Sequence, residues 1–467
     1  MTDETYDLVV VGSGAAGLSA AVTARQAGLS VLLIEKTSLI GGSTSLSGGN
    51  LWLPDNPLLA RAGAPDTREA ALEYLANFVA PDDPASTPAR RAAFVDAVAP
   101  MIAQFAAAGM QYEVSAGFSD NYDHLPGGSV AGRGLRAALF NANRLGAWKT
   151  RLRPPSFPLP VHAAEGGVIL KALDSWAGKL MVARVIGRTL KAKVLRQTVY
   201  GTGGALQGRM LEIALRLGAT IRTDCAMSGL VMNGDRVAGV EIAHDGVTST
   251  VHATRGVLMS AAGFARNKAM RERFMPPPVN VDATQASPGE EGDAIAAMER
   301  VGAAFGWMDE AIWMMVWPFN GSLKPVMSDP AKPGSMLVDA SGQRFVNEGR
   351  PTSEIGRVAM QRLRDDPENR IWFIADSRAR RKYLFALNLP GRIPDKWIAQ
   401  GGVRKDETIA GLARQCGIDA AGLEATVTRF NAMSHDGVDA DFQRGDSAHT
   451  RAAWATADKR RTSTWGL

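Results

Sequence analysis

The chain has 467 residues, which is long enough for two domains that each bury a hydrophobic core. Hydrophobic residues at 46% and charged residues at 21% are typical of a globular protein and exclude a disordered or fibrous one. The net charge of +5 is dispersed along the sequence, which excludes a nucleic-acid-binding stripe. A solvated surface is therefore expected, with a membrane-surface or acidic-partner role as the alternative.

The two cysteines and the N-terminal residues indicate the compartment. Cys225 and Cys416 are far apart and lie in no C-x-x-C or ligand cluster, so we expect a reducing, cytoplasmic environment, no metal site and no redox-disulfide chemistry. The first apolar run follows acidic residues and is interrupted by glycines. It therefore predicts a buried strand, not a signal peptide or a transmembrane segment.

The stretch "VVVGSGAAGLSAAVTARQAGLSVLLIEK", residues 9–36, predicts a βαβ unit that binds a dinucleotide. A short β-branched run leads into Gly12, Gly14 and Gly17, which give the G-x-G-x-x-G spacing. The alanine-rich helix that follows directs its N-terminus at a pyrophosphate. Glu35 ends the second strand, where a carboxylate accepts hydrogen bonds from ribose hydroxyls and repels a 2′-phosphate. These residues alone do not distinguish NAD from FAD.

A glycine- and serine-rich segment, "LIGGSTSLSGGNLWLPDN", follows Glu35 and Lys36 directly. It predicts a polar loop that offers backbone N–H groups and hydroxyls to phosphates and to a polar ring edge. An ordinary NAD domain has no need of such a loop here. The alternative is a flexible surface loop, but the apolar stretch "NLWLP" that follows directly is not typical of one.

The order E-K-x-x-x-x-G-G-S-T-x-x-S-G-G over residues 35–49 resembles the FAD-dependent fumarate reductase/succinate dehydrogenase flavoproteins, and within them the 3-ketosteroid dehydrogenases. Later segments carry the same resemblance, with "GTGGALQGRMLEIALRLGATIRTDCAMSGLVMNGDRVAGVEI" on the adenosine side and "GVLMSAAGFARN" and "GEEGDAIAAM" near the flavin. The resemblance covers the chain to about residue 451. It implies FAD as the cofactor.

The fold class implied is α/β, with a Rossmann-type FAD-binding domain at 1–305, which includes a helical insertion at about 60–195, and a mixed α/β cap domain at 306–450. The expected cofactor-binding residues are Gly12, Ser13, Gly14, Ala15, Ala16, Gly17, Glu35, Lys36, Gly42, Ser43, Thr44, Ser47, Gly48, Gly49, Ala226, Ala262, Gly263, Gly292 and Asp293. Ala226 is expected to contact adenine through its backbone.

The activity that the resemblance implies is removal of a proton and a hydride from adjacent carbons beside a ketone, in a steroid-like apolar substrate. Such a reaction needs a group that polarises the ketone, a base for the α-proton, and flavin N5 for the hydride. Tyr122, in "GFSDNYDHLPGG", matches one family tyrosine and is the expected catalytic residue. The alternatives are that Asn121 occupies this position or that Tyr122 is an amphipathic loop residue. The electron acceptor is not indicated.

The segment "NEGRPTSE" departs from both branches of the resemblance. Thr352 stands where the steroid enzymes place a second tyrosine, and a threonine hydroxyl is a poor proton acceptor without a strong base beside it. Arg350 is close to the position of the fumarate-reductase arginine but out of register. His124 and His162 are expected to be isolated structural residues. A fumarate-reductase-like or enone reductase is therefore the first alternative function.

The last stretch, residues 451–467, lacks the family pattern, whereas "FQRGD" just before it matches. A frame displaced by two bases can encode family-like text here, so we expect a frameshifted, truncated chain. Because a Rossmann core without its last segment exposes apolar surface, weak FAD retention is expected. A truncated inactive remnant is the second alternative.

Overall fold

The structure is a computed structural model. It describes residues 4–80, 83–115, 118–162, 165, 168–169, 176–319, 322–326, 329–383, 385–386, 388 and 390–454. The part of the expected aberrant tail at 455–467 lies outside the described residues, whereas residues 451–454 belong to a helix.

Within these ranges the chain alternates helices and strands. The strands are β1 (Glu4–Val11), β2 (Val31–Ile34), β3 (Asn50–Trp52), β4 (Tyr112–Val114), β5 (Gly134–Ala137), β6 (Phe140–Asn141), β7 (Val199–Tyr200), β8 (Thr220–Arg222), β9 (Cys225–Asn233), β10 (Arg236–His244), β11 (Val247–Met259), β12 (Val316–Phe319), β13 (Ser322–Pro325), β14 (Ser335–Val338) and β15 (Trp372–Ala375). The α-helices are α1 (Ala15–Gln26), α2 (Gly42–Leu46), α3 (Pro57–Arg61), α4 (Arg68–Phe78), α5 (Pro88–Ala107), α6 (Trp176–Val194), α7 (Thr202–Arg216), α8 (Lys268–Phe274), α9 (Asp293–Arg300), α10 (Thr352–Asp365), α11 (Ser377–Lys382), α12 (Asp395–Ala399), α13 (Ile409–Cys416), α14 (Ala420–Asp436) and α15 (Ala448–Trp454). Two 3₁₀ segments span Ala142–Arg151 and Val281–Ala283.

The main sheet has the strand order β8-β2-β1-β11-β10-β9. Strands β8, β2, β1 and β11 are parallel, whereas β10 runs antiparallel to both of its neighbours. The chain moves outward from β1 to β2 and β8, then returns to β11 on the other side of β1. This reversal is the switch point at which doubly wound sheets bind nucleotides. The predicted Rossmann-type fold is confirmed.

Alternating side chains explain why the first strands are apolar throughout. Val10 and Leu33 pack with α1 and α7 on one face of the sheet. Val9, Val11 and Leu32 pack on the other face, against residues of β9, β10 and β11. Both faces are covered, so every position of β2 is buried and its sequence is a continuous apolar run.

Smaller sheets lie outside the main sheet, in the insertion and in the cap. Strands β3, β5 and β4 form an antiparallel sheet beside α4 and α5, so the described part of the insertion holds strands as well as the expected helices. In the cap, β14 pairs with β15, and "RIWFIAD" contains β15 as predicted. Helices α13 and α14 cover one face of this pair and α10 covers the other. The mixed α/β cap is confirmed.

Candidate FAD site and catalytic cleft

An open cleft lies at the carboxyl ends of β1 and β11. Its lining residues are Val11, Gly12, Ser13, Gly14, Ala15, Ala16, Ile34, Glu35, Lys36, Gly42, Ser43, Thr44, Cys225, Met227, Ser260, Ala261, Ala262, Ser287, Gly289, Glu290, Asp293 and Ala294. A nucleotide is expected at this position in the fold.

Two glycines, one in the turn between β1 and α1 and one in the first turn of α1, have no room for a side chain. Gly12 has φ +101°, and a Cβ there would lie 2.6 Å from the carbonyl oxygen of Ser260 on the neighbouring strand. A Cβ at Gly17 would lie 1.9 Å from the carbonyl oxygen of Gly12. At Gly14, by contrast, the nearest atom is the hydroxyl of Thr44 at 3.7 Å, so the backbone there is open to the cleft. The first and third glycines hold the packing, and the second leaves room for a phosphate.

Glu35 lies at the end of β2 with its carboxylate turned into the cleft. It accepts a hydrogen bond of 2.5 Å from the Ser13 hydroxyl and one of 3.3 Å from the Ser13 backbone N–H. Its other oxygen accepts from the backbone N–H and the hydroxyl of Thr37, at 3.0 and 2.8 Å. These contacts fix the carboxylate where an acceptor for ribose hydroxyls is needed.

The glycine- and serine-rich segment forms the short helix α2 rather than the predicted loop. Its Thr44 hydroxyl accepts a 3.2 Å hydrogen bond from the backbone N–H of Ala15, which ties α2 to the start of α1. The Ser43 hydroxyl donates to the carboxylate of Glu290 and accepts from the backbone N–H of Ser287 at 2.8 Å. The segment is therefore ordered against the cleft, which argues against the flexible-loop alternative.

Several expected cofactor residues do not line the cleft: Gly17, Ser47, Gly48, Gly49, Ala226, Gly263 and Gly292. The Ser47 hydroxyl donates to the Thr44 carbonyl, and a Cβ at Gly49 would lie 2.3 Å from Thr202 at the start of α7. Ala226 lies between two strand residues that do line the cleft, Cys225 and Met227. Ser47 is therefore bound to a residue that lines the cleft, and Gly49 is packed closely against the start of α7.

Some lining residues that the sequence did not predict lie in segments that come back to the cleft from later in the chain. Ser260 and Ala261 follow β11, and the Ser260 hydroxyl donates to the Val11 carbonyl at 2.9 Å. Ser287 and Glu290 lie in the segment before α9, where Arg266 donates to the Ser287 carbonyl at 3.1 Å. Ser260 could have been found from its position at the end of a strand that pairs with β1.

Lys36 at the rim of the cleft is paired with carboxylates, and the two buried cysteines are neutral thiols that do not pair with each other. Lys36 Nζ lies 2.6 Å from carboxylate oxygens of both Glu291 and Asp293. Burial alone would lower the pKa of Lys36, but these carboxylates outweigh burial and raise it. Burial raises the pKa of the Cys225 thiol to about 11, so this free, buried cysteine stays a neutral thiol. Cys416 is also free and buried and belongs to the cap core, so the two cysteines do not pair.

Tyr122 lies outside the nucleotide cleft, in the insertion. Its ring is 5.1 Å from that of Phe78 and 6.3 Å from that of His124, measured between centroids. Burial, followed by the carboxylate of Glu354 on α10, raises the pKa of Tyr122 to about 12. The phenol therefore stays protonated at neutral pH, and a cap carboxylate is its neighbour.

Glu354 is in the first turn of α10, two residues after Thr352, and its Oε2 atom is buried without a hydrogen-bond partner among the described residues. A buried carboxylate oxygen without a partner is unusual, because the desolvation of a charged acceptor is costly. The structure therefore brings to Tyr122 a carboxylate that the sequence analysis did not single out. The sequence offered one indication of Glu354: it lies two residues after Thr352, where the family tyrosine was expected.

The two histidines are not isolated, contrary to the prediction. Arg350 Nη1 lies 3.1 Å from Nδ1 of His124, and Arg350 Nη2 donates to Asp446 at 3.3 Å. His162 Nε2 lies 3.3 Å from the carboxylate of Glu113, and burial lowers the pKa of His162. Arg350 is thus held between the insertion and the segment before α15.

The "RFVNE" segment, residues 344–348, is part of a buried scaffold. Arg344 donates to Glu348 at 2.8 Å and to Asp439 at 2.9 Å, and Arg444 donates to Glu348 at 3.3 Å. We call Arg344, Glu348, Asp439 and Arg444 the cap network; their side chains are 0–3% exposed. Asn347 joins it by donating to the Phe442 carbonyl at 2.9 Å. The "RFVNE" and "FQRGD" segments therefore bind each other.

Comparisons with known proteins agree with this site. The profile of the FAD binding domain family matches residues 7–463. A 3-oxosteroid 1-dehydrogenase from Mycobacterium tuberculosis is 35% identical over 97% of this chain and 82% of its own length. A 4-oxocyclohexanecarboxylate 2-dehydrogenase from Sinomonas cyclohexanicum is 28% identical over 97% of this chain and 78% of its own.

The solved structures give the same result. The 3-ketosteroid delta1-dehydrogenase from Sterolibacterium denitrificans, in complex with 1,4-androstadiene-3,17-dione, superposes with a TM-score of 0.91 at 30% identity, covering 99% of this chain and 86% of that one. No helix in the described ranges has the length and hydropathy needed to cross a bilayer. These likenesses, together with a nucleotide cleft at the end of β1, show that the chain belongs to the FAD-dependent 3-ketosteroid dehydrogenase family.

Proposed function

We propose that this chain dehydrogenates the carbon–carbon bond next to the ketone of a 3-ketosteroid-like substrate, with FAD as its cofactor. The observation that carries the proposal is the likeness to 3-oxosteroid 1-dehydrogenases over nearly the whole chain, combined with a nucleotide cleft whose polar groups are in place. When bound, FAD supplies the flavin that accepts the hydride at N5.

The cofactor-binding residues follow from the cleft. The pyrophosphate would lie against the turn from Gly12 to Ala16 and the start of α1, and a ribose would lie on Glu35. Ala226 would present its backbone to adenine between Cys225 and Met227, which line the cleft. The domain division proposed is an FAD-binding part at 1–305 and a cap at 306–450.

Proton removal is assigned to Tyr122 and Glu354. Thr352 lacks the phenol that could accept a proton at its position. The pKa of Tyr122 is raised to about 12, so little of Tyr122 is phenolate at neutral pH. In the proposed step the α-carbon gives its proton to the Tyr122 oxygen while the phenol proton passes to the Glu354 carboxylate. The carbon–hydrogen electron pair becomes the new double bond as the hydride leaves the adjacent carbon.

The test is anaerobic bleaching of the bound flavin by a panel of 3-ketosteroids, measured at 450 nm (roughly the flavin absorbance maximum) in stopped flow. Glu354→Gln and Tyr122→Phe should each slow bleaching by about 10²-fold at unchanged flavin content, and the double variant should be no slower than either single one. Glu407→Gln, an exposed change elsewhere in the cap, serves as the control. Bleaching by Glu354→Gln at the wild-type rate would remove Glu354 from the step.

The reductase alternative is distinguished by the opposite assay. Reoxidation of the reduced flavin by fumarate would support a fumarate-reductase-like activity, and reoxidation by a steroid enone only would exclude that activity. The structure offers it little support, since Arg350 is already bound to His124 and Asp446. Flavin content and thermal stabilisation by FAD separate an enzyme from an inactive remnant. The buried unpaired cysteines favour the cytoplasm.

A further inference from the structure

Arg153 is a buried arginine of the insertion and follows the 3₁₀ segment Ala142–Arg151. It is 7% exposed, its Nη2 atom donates to the Thr37 hydroxyl at 3.0 Å, and its Nε atom has no hydrogen-bond partner among the described residues. Burial lowers the pKa of Arg153, and the carboxylate of Glu35 opposes this through its charge rather than through a hydrogen bond. A buried guanidinium without a directly bound carboxylate is costly, so its presence beside the nucleotide cleft requires a compensating gain.

The backbone fixes Arg153 in this place. Its N–H donates to the Ile40 carbonyl at 2.9 Å, and the Ile40 N–H donates to the Arg151 carbonyl at 2.7 Å. An isolated parallel bridge joins Ile40 to Leu152, and both side chains are buried in the core on one face of the main sheet. A piece of the insertion is thereby bound to the segment that connects Glu35 with α2.

The Thr37 hydroxyl connects Arg153 to Glu35. Its Oγ1 atom lies 2.8 Å from Oε1 of Glu35 and 3.0 Å from the Leu39 carbonyl oxygen, but a hydroxyl has a single proton and donates to one of them at a time. Arg153 Nη2 donates to the Thr37 oxygen and also reaches the Leu39 carbonyl, at 3.5 Å. Because Arg153 supplies a donor to the competing carbonyl, the Thr37 proton is left for Glu35.

We propose that Arg153 is a positioning residue for FAD: acting through Thr37, it holds the Glu35 carboxylate in the orientation that accepts a hydrogen bond from the 2′-hydroxyl of the adenosine ribose. Its positive charge also favours a negative charge on Glu35. Arg153 itself does not line the cleft, so the insertion takes part in cofactor binding from behind. The inference rests on the proposed contact between Glu35 and a ribose, and it does not depend on the proposed reaction.

The test compares FAD with an FAD analogue whose adenosine lacks the 2′-hydroxyl, each titrated by fluorescence into the apoprotein of the full chain. We call the ratio of the two dissociation constants the ribose preference, and it should be about tenfold or more in the wild type. Arg153→Met and Thr37→Val should each lower it to about threefold by weakening FAD binding, with the analogue bound as by the wild type. The double variant should lower it no further, because both residues act on one contact. Thr37→Ser keeps the hydroxyl and should keep the wild-type preference.

The matched control is Arg151→Met. Arg151 belongs to the same backbone bridge, but its side chain is 47% exposed and pairs with Asp224 at 2.7 Å, so the ribose preference should not change. The inference fails if Arg153→Met keeps the wild-type preference, or if it weakens FAD and the analogue equally, because Arg153 then supports only the fold. Where Arg153→Met yields no folded protein, the same outcomes are measured with Thr37→Val.

Glu35→Gln separates the two ways of failing. If this variant keeps the ribose preference, the ribose does not lie on Glu35 and the proposed contact fails together with the role of Arg153. If it loses the preference while Arg153→Met keeps it, the contact stands and only the role of Arg153 is overturned. Turnover is not measured in these titrations, so they stand apart from the test of the proposed reaction.

Discussion

The FAD cleft and the cap network are both buried and polar, but their groups point in different directions. In the cleft, the backbone at Gly14 and the carboxylate of Glu35 border open space. In the cap network, the carboxylates of Glu348 and Asp439 are enclosed, and each is bound by an arginine. A segment with a family pattern can therefore bind a ligand or hold the scaffold, and the direction of its polar groups distinguishes the two. Changes in the network should affect folding, whereas changes at the cleft should affect the cofactor.

The largest effect is expected from Arg344→Ala. Burial acts against the charge of Arg344, but Glu348 and Asp439 overcome it and hold the pKa of Arg344 above its usual value. Removing it leaves two buried carboxylates with fewer partners, so the free energy of unfolding should fall by about 3–5 kcal/mol in urea denaturation. The control is Arg429→Ala, which breaks a surface pair with Asp441 and should cost less than about 1 kcal/mol. Equal losses would show that the network is not a scaffold.

Gly17→Ala should come next. Its Cβ would collide with the Gly12 carbonyl, so helix α1 has to move from β1 and the cleft has to change shape. We expect a loss of about 1–3 kcal/mol in unfolding free energy, together with loss of FAD on gel filtration. The matched change is Gly187→Ala in α6, where a Cβ meets no atom within 4 Å and which should stabilise the protein by about 0.5–1 kcal/mol. A Gly17→Ala protein that keeps its flavin would disprove the packing role.

Glu35→Gln should leave folding intact and weaken the cofactor. The amide keeps one acceptor for the Ser13 hydroxyl but loses the charge that a ribose hydroxyl would meet, so the dissociation constant of FAD should rise about tenfold or more. Fluorescence titration of the apoprotein measures it. Glu291→Gln, at the rim with a side chain that is 54% exposed, is the control and should change FAD binding little. A similar change in both would mean that net charge, not the position of Glu35, sets the affinity.

Residues of the cleft that lie in one local unit of the chain could be predicted from their spacing in the sequence, whereas those from distant segments could not. The turn at Gly12, Gly14 and Gly17 and the acid at Glu35 are set by a local unit of about thirty residues, so spacing alone located them. Ser260 and Glu290 reach the cleft only because β11 returns beside β1, and a sheet order is needed to find them.

The proposed catalytic pair was harder to predict because its two residues come from separate parts of the chain. Tyr122 and Glu354 are 232 positions apart and meet where the insertion faces the cap. Glu348 is likewise bound by Arg444 of the distant "FQRGD" segment, and Arg344 by Asp439 just before that segment. Periodicity carries no information on such long-range contacts.

The smallest expected effect is a shift in phenol ionisation, and it tests the meeting of insertion and cap directly. Burial raises the pKa of Tyr74, Tyr112 and Tyr122 to about 12, from the ordinary 10.0, so in an alkaline titration followed by tyrosinate absorbance these phenols should ionise last. Tyr122→Phe should remove one of the late steps. Glu354→Gln should lower the pKa of Tyr122 while leaving Tyr112 unchanged, because Glu354 contributes only to the former.

The same shift has a consequence for stability, whose sign follows from the two pKa values. Unfolded phenols ionise near pH 10 and these folded ones near 12, so their contribution to the free energy of unfolding is complete below pH 10 and is lost as the pH rises through 12. Urea denaturation at pH 9 and at about pH 11 should show a lower stability at the higher pH, and a smaller drop in Tyr122→Phe. If Tyr122 instead ionises near pH 10 with Glu354 present, the phenol and the carboxylate are not neighbours in solution, and the proton path assigned to them has no basis.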